Sequence, residues 1–128
     1  MVGIVIVSHS EQLAAGVVEI AKMMAPNAML AAAGGLDDGG LGTSYSKISE
    51  AVDAVYSEDG VAVLMDMGSA VMTTEMVIED KDDSKVVMLD CPLVEGAVLA
   101  AVESTGGISL EDLAVKIKEA YNVRKLPE

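Results

Sequence analysis

The strongest constraint on this chain is an alternation. Short runs of apolar, β-branched residues are each followed by a stretch with helical spacing, and this repeats from one end to the other. Val2 to Val7 is the first run, and it stops at Ser8-His9-Ser10. Apolar residues at every position, not every second one, read as a strand buried on both faces. Ser8 and Glu11 have capping-box spacing and Ser10 competes as N-cap, so a helix is expected from about Glu11 to Ala25. Its apolar face is predicted to be Leu13, Val17, Ile20 and Met24, and Pro26-Asn27 ends it.

The pattern repeats. Ala28 to Ala33 is a second apolar run. Thr43 or Ser44 then caps a helix reaching about Tyr56, with Ile48, Val52 and Val55 as its stripe. Val61 to Met65 is a third strand, ending in Asp66-Met67-Gly68-Ser69. Ser69 is expected to cap a helix to about Glu79, with the charged segment to Lys85 as a solvated turn. Val86 to Leu89 is a fourth strand. Helices from about Leu93 to Ser104 and Leu110 to Tyr121 follow, separated by Thr105-Gly106-Gly107. Strand and helix in strict alternation predict an α/β, doubly wound, mostly parallel sheet with helices on both faces. At 128 residues it is expected to be one domain, residues 1–128.

Composition then removes function classes. The formal net charge is −13, so a nucleic acid or an anionic membrane surface would repel the chain, whereas a basic protein would be attracted. There is no Phe or Trp on which bases could stack. No basic signal region and no unbroken membrane-length apolar segment are seen. The single cysteine, Cys91, allows no intramolecular disulfide, which fits a reducing cytoplasm, and it reads as a packing residue at a strand end. The nine methionines are expected to fill the core, an exchangeable partner surface being the other reading.

In open sheets of this class the chemistry lies beyond the carboxyl ends of the strands. That rule gathers Ser8-His9-Ser10, the loop Gly34 to Gly42 and Asp66-Met67-Gly68-Ser69 at one edge. His9, the only histidine, sits between a strand end and a helix N-terminus. The positive helix end favours neutral, nucleophilic imidazole, and its free N–H groups suit a phosphate on the ring. Asp66 is placed to accept Nδ1–H from His9, which would leave Nε2 free to attack; it could equally cap the Ser69 helix. The loop has five glycines in nine residues, matching neither a Walker nor a Rossmann spacing, and offers backbone amides to an anion. A receiver-type phosphoaspartate site would need acidic residues after the first strand, where Ser-His-Ser stands instead. Metal binding by His9 and Asp66 lacks an evident third ligand.

Three segments together carry a resemblance: Val-Gly-Ile-Val-Ile-Val-Ser-His-Ser at the start, Gly-Leu-Asp-Asp-Gly-Gly-Leu-Gly-Thr-Ser in the loop, and Leu-Met-Asp-Met-Gly-Ser-Ala-Val-Met-Thr-Thr-Glu after the third strand. They resemble the phosphotransfer subunit of PEP-dependent dihydroxyacetone kinase, itself similar to the IIA domain of mannose-type sugar phosphotransferase systems. The likeness runs from Val2 to about Tyr121. It implies a homodimer in which His9 takes phosphate from phospho-HPr, the small histidine phosphocarrier. It implies that the phosphate passes to ADP bound on the nucleotide-binding kinase subunit. It further implies that Asp66 orients His9, that Gly39, Thr43 and Ser69 lie around the phosphate, and that no cofactor of the chain's own is needed. Some relatives carry HPr-like and enzyme I-like domains after this one; since the chain stops at Glu128, a separate donor is expected. A mannose-type IIA component and a non-catalytic dimeric regulatory module are the other readings.

Overall fold

Every residue of the first strand is buried, and the architecture is built around it. The computed structural model describes residues 1–122 and 124–127. Its elements in chain order are β1 Gly3–Ser8, α1 Glu11–Met24, β2 Leu30–Gly34, α2 Tyr45–Val55, β3 Val61–Met65, α3 Gly68–Lys81, β4 Val86–Met88, α4 Leu93–Thr105 and α5 Leu110–Ala120. All strand pairs are parallel, in the order β2-β1-β3-β4. The predicted α/β class with helices on both faces is what forms.

The pleat splits the apolar run in two. Val2, Ile4 and Ile6, with Ala62 and Leu64, pack against α1, α4 and α5. Val5 and Val7, with Val61 and Val63, pack against α2 and α3. Both sets are apolar, so the run shows no period-two signal.

This arrangement creates the crevice. β1 and β3 are neighbours, yet the chain leaves β1 into α1 on one face and leaves β3 into α3 on the other. The two connections diverge, opening a gap beyond the carboxyl ends of these strands, the switch point of a doubly wound sheet.

Several local expectations are corrected. The buried face of α1 is Ala14, Val17 and Ala21, while Leu13, Ile20 and Met24 are exposed. α1 packs on α4, whose buried face is Gly96, Ala97, Ala100, Ala101 and Ser104. Small residues on both helices let the backbones approach, and the longer side chains are pushed outward. Ser10, not Ser8, caps α1 through Leu13 N–H at 3.2 Å, and Ser44, not Thr43, caps α2. Ser69 is no cap: α3 begins at Gly68, with Met67 in the N-cap position two residues before Ser69. α3 also runs on to Lys81, where Asp82 ends it in a left-handed conformation, φ 49°.

Most of the methionines do not fill the core, although Met65 packs against it. Met1, Met23, Met24, Met29, Met67, Met72 and Met76 are all exposed. Cys91 does pack as expected, against the backbone of α4: a Cβ on Gly96 would lie 2.1 Å from its Sγ. Burial, aided by Asp90 and Glu95, pushes its thiol up to about 11. Among the described residues, no helix is long and apolar enough to cross a membrane.

Candidate functional site

The site begins where β1 and β3 end side by side. Val7 pairs with Met65, so the next residues, Ser8-His9 and Asp66, meet across the crevice. Asp66 N–H donates to Val7 O at 3.2 Å, which continues the ladder one step past the strand. The Asp66 carboxylate then accepts four hydrogen bonds. Oδ2 takes the Ser8 hydroxyl at 2.8 Å and the His9 backbone N–H at 3.0 Å. Oδ1 takes the Met67 N–H at 2.7 Å and faces His9 Nδ1 at 2.9 Å.

An ionised carboxylate has no proton to give, so Nδ1 carries the hydrogen in this contact. Partial burial pushes the Asp66 carboxyl up. The donors from His9 backbone, Ser8, the His9 ring and Met67 outweigh it and hold the group below the ordinary carboxylate value. Asp66 is therefore a fixed acceptor, and an imidazole that donates from Nδ1 in its uncharged form has its lone pair on Nε2.

Nε2 points across the crevice to the Ser69 hydroxyl, with which it is in hydrogen-bond contact. Ser69 lies in the first turn of α3. The helix end facing Nε2 is thus that of α3, whereas the expectation placed it at α1. The α1 end is turned to its own cap, Ser10. At the start of α3 the Ala70 and Val71 N–H groups donate to Met67 O, while those of Gly68 and Ser69 precede the first of these bonds and can receive an anion.

The glycine loop is tied to the same corner by its backbone. Gly35 N–H donates to Ser8 O at 3.1 Å and Gly42 N–H donates to His9 O at 2.8 Å. Gly42 has φ +146°, and a Cβ there would come within 2.8 Å of the Leu36 side chain, so the turn requires glycine. Thr43 reaches the site through α3. The Thr73 hydroxyl donates its one proton to Ser69 O at 3.0 Å, so it accepts from the Thr43 hydroxyl at 2.9 Å.

The crevice therefore brings together His9, Asp66 and Ser69, with Thr43 one residue removed. Gly39 is placed differently. Its N–H already donates to Leu36 O at 3.0 Å, and it lines a cavity with Ser10, Glu11, Gln12, Ala15 and Leu41. Two residues were missed. Thr73 was legible, because it lies one turn after Ser69 on the same helix face. Ser8 was read only as a cap. An apolar cavity of about 450 Å³ beside β4 and α5, lined by Met88, Leu89, Ala114, Ile117 and Tyr121 among others, includes neither His9 nor Asp66. Chemistry and that apolar hollow are separate on this molecule.

Comparison with known proteins adds to this geometry. The EIIA-man family, described as the PTS system fructose IIA component, matches residues 3–114. The phosphoryl donor subunit DhaM of PEP-dependent dihydroxyacetone kinase from Escherichia coli K12 is 36% identical, over 98% of this chain and 28% of that protein. DhaM of PEP-dependent dihydroxyacetone kinase 1 from Listeria innocua is 35% identical, over 91% of this chain and 92% of that protein. The chain thus spans little more than a quarter of the first relative and nearly all of the second. Among solved structures, the unknown-function protein EF1359 superimposes with TM-score 0.83 at 24% identity, covering 98% of each chain. The mannose/sorbose-specific IIA subunit of the phosphotransferase system from Enterococcus faecalis gives 0.62 at 19% identity, over 99% of this chain and 97% of that one. These two likenesses concern the fold.

Proposed function

From the premise that the chain belongs to the EIIA-man family, alongside the phosphoryl donor subunits DhaM, we propose that it is a phosphohistidine carrier serving a dihydroxyacetone kinase. His9 accepts phosphate from phospho-HPr and passes it to ADP bound on the nucleotide-binding kinase subunit. The observation that carries this reading is the orientation of His9, with Nδ1 on Asp66 and Nε2 facing the start of α3.

The chemistry follows from that orientation. The Nε2 lone pair attacks phosphorus in line as the donor's N–P bond breaks. The ring becomes a phosphoimidazolium whose positive charge is stabilised by ionised Asp66. The Ser69 hydroxyl, no longer facing a lone pair, turns to a phosphoryl oxygen, and the first-turn amides of α3 share the charge. In the second step the Nε2–P bond breaks as a terminal phosphate oxygen of ADP takes the phosphoryl group, giving ATP and restoring neutral imidazole. Thr43 supports Ser69 through Thr73, and Gly39 belongs to the loop that Gly42 ties to His9 O.

The same reading includes a homodimer and a cytoplasmic location. It also gives the charge a use: a chain of −13 attracts partners with basic docking faces. The names of the sequence relatives favour the kinase over a sugar transporter as acceptor. The test is a chase. The phosphorylated protein, freed of donor, is mixed with the ADP-loaded kinase subunits and dihydroxyacetone. The proposal expects prompt loss of phosphate and formation of dihydroxyacetone phosphate, with none from His9→Ala. Retention there, with discharge to a mannose-type IIB component, would assign the chain to sugar transport instead.

A further inference from the structure

Ser8 closes a strand of otherwise apolar residues and its side chain is fully buried. A buried hydroxyl needs partners, and this one has two. It donates to Asp66 Oδ2 at 2.8 Å and accepts from Ser10 N–H at 3.0 Å. Among the four donors on Asp66, two are backbone amides placed by the fold, and one is the imidazole whose chemistry is at stake. Ser8 alone is a side chain that takes no part in the reaction and can be altered without touching either.

We infer that Ser8 is a positioning residue for phosphoryl transfer, holding the Asp66 carboxylate so that Oδ1 stays aligned with His9 Nδ1–H. The argument is geometric. A carboxylate turns about its Cβ–Cγ bond, a soft, two-fold torsion. Bonds at both oxygens are needed to stop that rotation. On the Oδ1 side the Met67 amide is fixed. On the Oδ2 side the His9 amide belongs to the turn carrying the ring, so a shift of that turn moves ring and amide together. Ser8 Oγ is anchored in the buried end of β1, and by accepting from the Ser10 N–H it also closes the turn that carries His9. It fixes Oδ2 from the buried strand end that precedes the ring. Without it, Asp66 keeps its charge but loses its angle, and imidazole regains freedom to place its proton on Nε2, the nitrogen that must attack. The inference rests on the proposed phosphocarrier role for its consequence in rate, but not for its consequence at the ring.

The competing view is that Ser8 only satisfies the Ser10 amide and so stabilises the start of α1. The two views separate by spectroscopy and by rescue. The full chain is labelled with 15N-histidine, and the single histidine reports directly which ring nitrogen carries the proton near neutral pH. Wild type should show the Nδ1–H form as the dominant tautomer. Ser8→Ala should shift the population toward Nε2–H and slow phosphate uptake from PEP, enzyme I and HPr roughly tenfold, the scale of one hydrogen bond to a charged group. Ser8→Thr keeps the hydroxyl and should restore both readouts. Ser8→Cys conserves size with a weak donor and should behave like Ser8→Ala, which keeps the test open if the alanine variant fails to fold. A wild-type tautomer spectrum in folded Ser8→Ala or Ser8→Cys would overturn the inference, even if those variants were less stable. Should wild type take no phosphate at all, the carrier role is what fails, and the ring spectra still decide for or against Ser8.

Discussion

At the residue scale the site turns on one ionised carboxylate. Asp66→Asn keeps the shape but offers an amide that can donate to Nδ1, favouring the tautomer with the proton on the wrong nitrogen. Its phosphate uptake should fall by roughly 10²-fold or more, the scale of losing correct proton placement at a catalytic histidine. Single-turnover phosphorylation would read this, and a variant within twofold of wild type would remove Asp66 from the mechanism. The same residue sets an acid limit on stability. Its folded-state carboxyl lies below the ordinary value near 3.9. Such a group contributes stability that is fully present above that ordinary value and is lost as pH falls through the lower folded value. The gap in Tm between pH 6 and pH 3 should therefore be smaller in Asp66→Asn than in wild type. It should not vanish, because Asp83, held down by the Tyr56 hydroxyl, remains. An unchanged gap would mean that the hydrogen bonds on Asp66 do not discriminate its charge states.

At the element scale, close approach matters more than hydrophobic size. Gly34 ends β2 where α1 crosses it, and a Cβ there would sit 2.5 Å from Ser10 O and 2.8 Å from Ala14 Cβ. Gly34→Ala must move backbone and is expected to cost about 1–3 kcal/mol, lowering Tm by several degrees. Met76→Ala, on the exposed side of α3, should stay within about 0.5 kcal/mol of wild type. Thermal melts of both proteins would check the contrast, and equal losses would contradict it. This is also where sequence reading reached its limit. Strands were legible because β3, and β1 up to its closing Ser8, are apolar at every position. His9 and Asp66 were legible because each stands one step past such a strand. The face of α1 was misread because spacing favours large residues such as Leu13 and Ile20, while packing on α4 selects Ala14 and Ala21. Spacing alone offers Ser69 only as a cap, because it cannot see Nε2 arriving from another strand; a place beside the phosphate is implied for it by the family resemblance alone. Ser8 was hidden for the same reason, its partner being 58 residues away.

At the scale of the whole molecule, topology and charge act together. The sheet order β2-β1-β3-β4 places the switch point between β1 and β3, so the His9 ring lies partly exposed in the crevice there. The protein carries −13 charges, and encounter with a basic partner should be steered by them. Raising ionic strength from about 0.05 to 0.5 M should slow association with the donor by tenfold or more and affect the subsequent chemical step much less. Stopped-flow rates at several salt concentrations would show it. Salt-independent association would indicate that the exposed methionines, not the acidic surface, govern docking.

The central claim is that His9 carries the phosphate, and intact-mass analysis tests it most directly. The protein is incubated with PEP, enzyme I and HPr beside His9→Ala. The account predicts one acid-labile phosphate, roughly 80 Da, on wild type and none on the folded variant. A folded wild-type protein that stays at its unmodified mass, or an equal gain on His9→Ala, would contradict it.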